Sequence, residues 1–335
     1  MNVSLSVWLV TAAALIVVLV ADILVIGRRP HEPSMREASL WVSVYVTLAV
    51  LFGIGIYLFA GGRYAGEFFA GWITEYSLSV DNLFVFLVIM TRFAVPRAYQ
   101  QTALLIGIIL ALVLRGIFIA LGAAAISAFS WVFYIFGAIL LYTAVQFVRG
   151  DAADESEYKE NRVTRWATRH LPATDRYDGI KLIVVENGRR VVTPMLLVMV
   201  ALGTTDLLFA LDSIPAIYGL TKEPYLVFTA NVFALMGLRQ LYFLIGGLVD
   251  RLVYLSFGLA AILGFIGIKL ILHALHENNL PFINGGEPIH AVPDIGIALS
   301  LTFIVGVLAI TTIASLVKAH RGVRKERAKR EVETR

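Results

Sequence analysis

The sequence holds 335 residues, of which 59% are hydrophobic and 16% charged, with a mean hydropathy of +0.79 and a formal net charge of +4. That apolar share lies well above the composition of an ordinary soluble domain. No cysteine is present, which excludes a disulfide framework, a thiolate metal site and a thiol nucleophile.

A bilayer core about 30 Å thick takes roughly 20 apolar residues per helix, and about nine such stretches predict an all-α membrane protein. They cover residues 5–27, 39–60, 68–91, 102–124, 130–148, 194–219, 226–247, 252–273 and 294–317. No basic residue precedes the first, and Arg28 and Arg29 follow it directly, so it reads as an anchor and not as a cleaved signal peptide. Lys and Arg divide unevenly between alternate loops: 23 fall in one set, and the other holds only Arg63 and Lys222. The positive-inside rule therefore predicts an external N-terminus and a cytoplasmic C-terminus. On the same grounds the basic tail RGVRKERAKR is expected to meet lipid headgroups, with no nucleic-acid partner.

The chain divides accordingly into an N-terminal two-helix segment (1–67), a three-helix unit (68–148) and a cytoplasmic loop (149–193). A second three-helix unit (194–273), an external loop (274–293), and a ninth helix with its basic tail (294–335) follow. The cytoplasmic loop mixes charges in an exposed helix, then reads KLIVVENGRRVVTP, where Asn187-Gly188 between β-branched runs predicts a hairpin. That loop is the expected contact for any soluble partner. The external loop is rich in Pro, Gly and Asn, and His273 at its edge with His276 and His290 inside it read as solvated side chains. Trp41, Trp72, Trp131 and Tyr134 lie near span ends and read as an interfacial belt.

The third and sixth spans echo one another. One carries Glu75, five residues, then Asp81-Asn82; the other carries Asp206, five residues, then Asp212-Ser213. Each is followed one span later by a buried arginine, Arg115 or Arg239. By the loop count these two spans run in opposite directions, which predicts two inverted three-helix repeats with a site at their midplane interface.

A charge at the bilayer centre costs roughly 2.5–3.5 kcal/mol on insertion scales, so it needs a partner or a wet cavity. The spans hold the acids Asp22, Glu75, Asp81, Asp206 and Asp212 against the bases Arg115, Arg239 and Lys269. If all are ionised, the excess of two negative charges matches one divalent cation; protonation of the acids would remove the excess instead. Glu75, Asp81, Asn82, Asp206, Asp212 and Ser213 offer only hard oxygen donors, suited to Mg2+, Ca2+ or Mn2+. Asp22 could join them or pair with Arg28 about 9 Å away by helix rise. Arg115 and Arg239 read as ion-pair residues, Lys269 as a side chain reaching the outer surface, and Asn231 as an interhelical hydrogen-bond partner. Acids six residues apart stand about 240° apart on a helix, so their convergence predicts local unwinding, near Pro215 and Ser79.

The stretches EYSLSVDNLFVF (75–86), TTDLLFALDSIPAI (204–217), NVFALMGLRQLYF (231–243) and VVENGRRVVTP (184–194) resemble the TerC/Alx family of integral membrane proteins. The resemblance spans most of the chain. It implies membership of the LysE-type exporter superfamily, a multi-pass place in a bacterial inner membrane, and Mn2+ efflux with the cation as cargo and no resident cofactor. It implicates Glu75, Asp81, Asn82, Asp206, Asp212 and Ser213 as the polar site. The family's tellurite-resistance phenotype leaves a scaffold or metal-loading partner as the alternative, and an enzyme is not expected.

Overall fold

The computed structural model describes residues 3–28, 34–149, 162–170, 172, 174, 176–186, 188–245, 254–289, 291–293 and 295–333. Within these, the side chains of residues 22–28, 162, 167, 170, 245 and 319–333 lie outside the description.

The helices are α1 (Leu5–Arg28), α2 (Met35–Ala60), α3 (Gly62–Arg92), α4 (Arg97–Ala128), α5 (Val132–Arg149) and the short α6 (Arg162–His170). A two-stranded sheet, β1 (Ile183–Glu186) and β2 (Arg189–Val192), precedes α7 (Pro194–Tyr218), α8 (Pro224–Leu235), α9 (Leu238–Ile245), α10 (Leu255–His276) and α11 (Ile297–Glu333). Among the described residues, eight spans are long and apolar enough to cross a membrane, with α8 and α9 forming one of them. A ninth, shorter apolar stretch covers Leu5–Ala21 of α1.

Local chemistry sets the ends. Ser34 caps α2 by accepting the Glu37 N–H at 3.2 Å, in the Ser-x-x-Glu spacing of a capping box. Gly61, at φ 97°, turns the chain so sharply that α3 begins at the next residue. Pro194 and Pro224 open α7 and α8, where a missing N–H costs nothing. The hairpin pairs Ile183 with Val192 and Glu186 with Arg189, and Gly188 takes the left-handed conformation. Asn187 lies outside the described residues.

The bundle packs by exchange. α3 lies on α8, α4 on α7, α3 on α7, and α5 on α10. Lipid is as apolar as leucine, so close approach holds such helices together. Gly137 and Gly267 allow it on α5 and α10: a Cβ on Gly137 would sit 2.9 Å from the Gly267 carbonyl oxygen.

The expected unwinding within the two acidic motifs does not occur; α3 and α7 run unbroken through them. Ser79 offers no reason to break, and Pro215 removes a single N–H in the last turn of α7, where the helix is ending anyway. The break falls instead in the seventh span. Met236 is extended (φ −63°, ψ 129°) and Gly237 left-handed (φ 85°), and helical bonding resumes with the Leu241 N–H to the Gly237 carbonyl at 2.9 Å. Trp72 is also no belt residue: it is buried in mid-α3, packed against Phe69 and Tyr76. The span begins six residues earlier than hydropathy alone suggested, which moves Trp72 inward.

Candidate functional site in the bundle core

Three contacts fix how the motif helices meet. Thr221, just past α7, donates to Glu67 near the start of α3 at 2.6 Å. A Cβ on Gly71 would touch Ile217 at 3.7 Å. At the far end, Met90 of α3 shares a core cluster with Val198 and Met199 of α7. The helices are therefore antiparallel, and each step up α3 matches a step down α7. Glu75 stands level with Ser213 and Asn82 level with Asp206. The leading acid of each motif is thus opposite the closing polar residue of the other, at two levels separated by about 10 Å of helix rise.

Arg115 of α4 lies between the levels. Its guanidinium forks onto Asp206, with Nη2 donating to Oδ1 at 3.1 Å and Nε to Oδ2 at 3.3 Å. Its Nη1 donates to Asn231 Oδ1 of α8 at 3.1 Å and also meets Glu75 Oε1. All four residues are buried, Arg115 to 1% exposure and Glu75 to 0%. A planar fork of five donors suits this bridging as no ammonium could. One guanidinium answers two carboxylates, so the cluster keeps a formal charge of −1. Glu75 Oε2, Ser79 Oγ and Ser213 Oγ are buried with no hydrogen-bond partner among the described residues, an arrangement that costs free energy unless something meets them.

The second acid of each motif lies to one side of this face. Asp212 is half-buried and accepts a 2.8 Å hydrogen bond from Thr143 of α5. Asp81 is half-buried as well, and Asn82 is buried. Among the described residues, no three His, Asp or Glu side chains are grouped to hold a metal ion. The structure thus brings Glu75 and Asp206 together through Arg115, and keeps Asp81 and Asp212 apart from that contact.

The other charged candidates lie elsewhere. Arg239 is buried beside the α8–α9 break, next to Gln240, whose amide nitrogen and oxygen both lack partners among the described residues. The Asp22 side chain lies outside those described. Lys269 donates to Ser300 Oγ at 3.2 Å and borders a cavity of about 520 Å3 where α3 begins and α7 ends. Arg63, Glu67, Lys222, Glu223 and His273 also line this cavity. Lys222 bonds Glu277 at 2.8 Å, and His273 lies 3.5 Å from the same carboxylate. Burial pushes the Glu277 carboxyl up, but the Lys222 hydrogen bond and the charges of His273, Lys222 and His276 outweigh it, holding it below its ordinary value. His290 lies outside the described residues.

Thr143 gives no sequence signal, because a lone threonine in an apolar span is common. Asn231 does give one, as a single amide in such a span, although its guanidinium partner cannot be read from spacing.

A family model described as "Integral membrane protein TerC family" matches residues 60–322. An uncharacterized membrane protein of Mycobacterium tuberculosis is 49% identical over 318 residues, covering 94% of this chain and 80% of the relative. A Myxococcus xanthus membrane protein, also uncharacterized, is 38% identical over 313 residues, with 93% and 92% covered. An Escherichia coli K12 relative, whose name, membrane-bound redox modulator Alx, is provisional, is 38% identical over 311 residues, with 90% and 91% covered. No solved structure matches the chain.

Proposed function

The chain belongs to the TerC family of integral membrane proteins, and from that premise we propose that it carries divalent cations, Mn2+ foremost, across the membrane by alternating access. The observation that carries this reading is the meeting of two acidic motifs, antiparallel and level, in the core of the bundle. Glu75 and Asp206 share one guanidinium there, and Asp81 and Asp212 stand half-buried one residue from the closing polar residue of each motif. Such an excess of negative charge at membrane depth is costly without a cation or protons to offset it. Asn82 and Ser213 add neutral oxygens, and the donor set suits a hard cation.

The exchanged packing of α3 on α8 and α4 on α7 supports two inverted three-helix repeats of the LysE type. With the hairpin end cytoplasmic by the positive-inside rule, the cavity beside Lys269 is the external mouth. The choice of Mn2+ and the outward direction rest on the family resemblance. The Escherichia coli relative's name speaks of redox modulation; this chain has no cysteine to carry thiol chemistry.

A second reading, a membrane scaffold or metal-loading partner, draws on the exposed Trp166, Ile183 and Val185 of the cytoplasmic segment. Cellular manganese separates the two. Cells expressing the chain and challenged with Mn2+ should hold less of it than cells expressing Asp81→Asn or Asp212→Asn. Full efflux in both variants, with loss on deleting residues 162–192, would favour the scaffold.

A further inference from the structure

Resting on that transport reading, we infer that Arg115 is a tethered competitor for the cation, a toggle that lets only one of two half-sites open at a time. The two levels define the half-sites. Glu75 and Ser213 stand at one, Asp206 and Asn82 at the other, and a bound cation would draw in the second acid beside each level, Asp212 from its Thr143 hydrogen bond or Asp81, giving each two carboxylates and one neutral oxygen donor. Each pair of acids carries a charge of −2 and matches one divalent cation. Glu75 Oε2 and Ser213 Oγ, both buried and without partners among the described residues, are donors already in place for the first.

Arg115 reaches both leading acids and holds each differently. Two hydrogen bonds tie it to Asp206, whereas a single Nη1 meets Glu75 and is shared with Asn231. A cation entering the Glu75 half-site displaces that one contact and leaves Arg115 neutralising Asp206, which closes the second half-site. For the cation to move to Asp206, Arg115 must swing to Glu75. The guanidinium therefore always covers the acid the cation has left. The core is never stripped of both charges, and the residual negative charge falls on the half-buried fourth carboxylate. The Glu75 level lies nearer the 520 Å3 cavity and the Asp206 level nearer the hairpin end, so the toggle runs along the transport axis.

The test counts bound Mn2+ per full-length chain, purified in nanodiscs, by the paramagnetic resonance of free Mn2+ at equilibrium, alongside flux in vesicles. Wild type should bind one ion, Arg115→Gln two, and Glu75→Gln with Arg115→Gln one again, while flux in both variants falls at least tenfold. Arg115→Lys, a point charge that reaches only one acid, should bind one ion and also lose flux at least tenfold; it serves where Arg115→Gln fails to fold. One ion bound by folded Arg115→Gln, or wild-type flux in Arg115→Lys, overturns the toggle. Absence of both binding and flux in wild type instead removes the transport reading on which the toggle stands.

Discussion

Replacing Arg115 with Met should expose how far the core depends on a single guanidinium. The side chain is 1% exposed and answers two carboxylates and an amide oxygen. Its loss leaves Glu75 and Asp206 as buried charges without a partner. Breaking a buried ion pair from one side costs about 3–5 kcal/mol, because the remaining charge has neither water nor counter-ion. Neutralising the acids at the same time removes that penalty, so the triple variant Glu75→Gln, Asp206→Asn, Arg115→Met should regain most of the loss. Reversible unfolding in mixed micelles, followed by circular dichroism, measures both. A single variant losing under about 1 kcal/mol, or a triple variant no more stable than the single, would refute the claim that this cluster is a dry unit held together by the guanidinium.

Gly237→Ala should destabilise by about 1–2 kcal/mol, since φ 85° disfavours any Cβ and the new methyl would lie 3.1 Å from the Tyr45 ring; the same micelle unfolding measures it. Thr143→Val removes the hydroxyl that donates to Asp212, a bond worth about 1.5–3 kcal/mol when the acceptor is charged, and should lower the apparent Mn2+ affinity; an unchanged or raised affinity would contradict a positioning role for Thr143. Gly137→Val drives a side chain into the Gly267 carbonyl and Ile271, at about 1–3 kcal/mol of overpacking, and should lower the melting temperature. The lowered Glu277 carboxyl contributes stability that is present above its unfolded pKa and disappears as pH falls through the lower folded value. Because Glu277 and Lys222 are each 45% exposed, Glu277→Gln should cost at most a few tenths of a kcal/mol at neutral pH, and a loss of thermal stability beyond that would contradict the assignment.

Much of the architecture is legible in the sequence because lipid imposes a simple code: long apolar runs become helices, and basic residues gather in alternate loops. The hairpin is equally legible from Asn187-Gly188. The two acidic motifs stand out because few charges survive at membrane depth. Their relation is harder to read. Six-residue spacing puts the acids of one helix on different faces, and sequence alone suggests unwinding to bring them together. The helices instead stay intact and set each leading acid opposite the closing polar residue of the other motif, with Arg115 joining the two acids, in a register fixed by contacts such as Glu67 with Thr221 that lie far from the motifs. The arginines likewise look equivalent in sequence, each one span after an acid. Packing gives Arg115 both Glu75 and Asp206 and sends Arg239 to the helix break. That break had a signal, a glycine inside a helical span, but Pro215 was the more conspicuous residue.

The most direct test of the account is Mn2+ flux into proteoliposomes carrying the wild-type chain, compared with Asp81→Asn and with Asp212→Asn. The account predicts saturable flux in wild type and its loss in both variants, with all three proteins inserted at equal density. Equal flux in the three would contradict the central claim that these core carboxylates carry the cation.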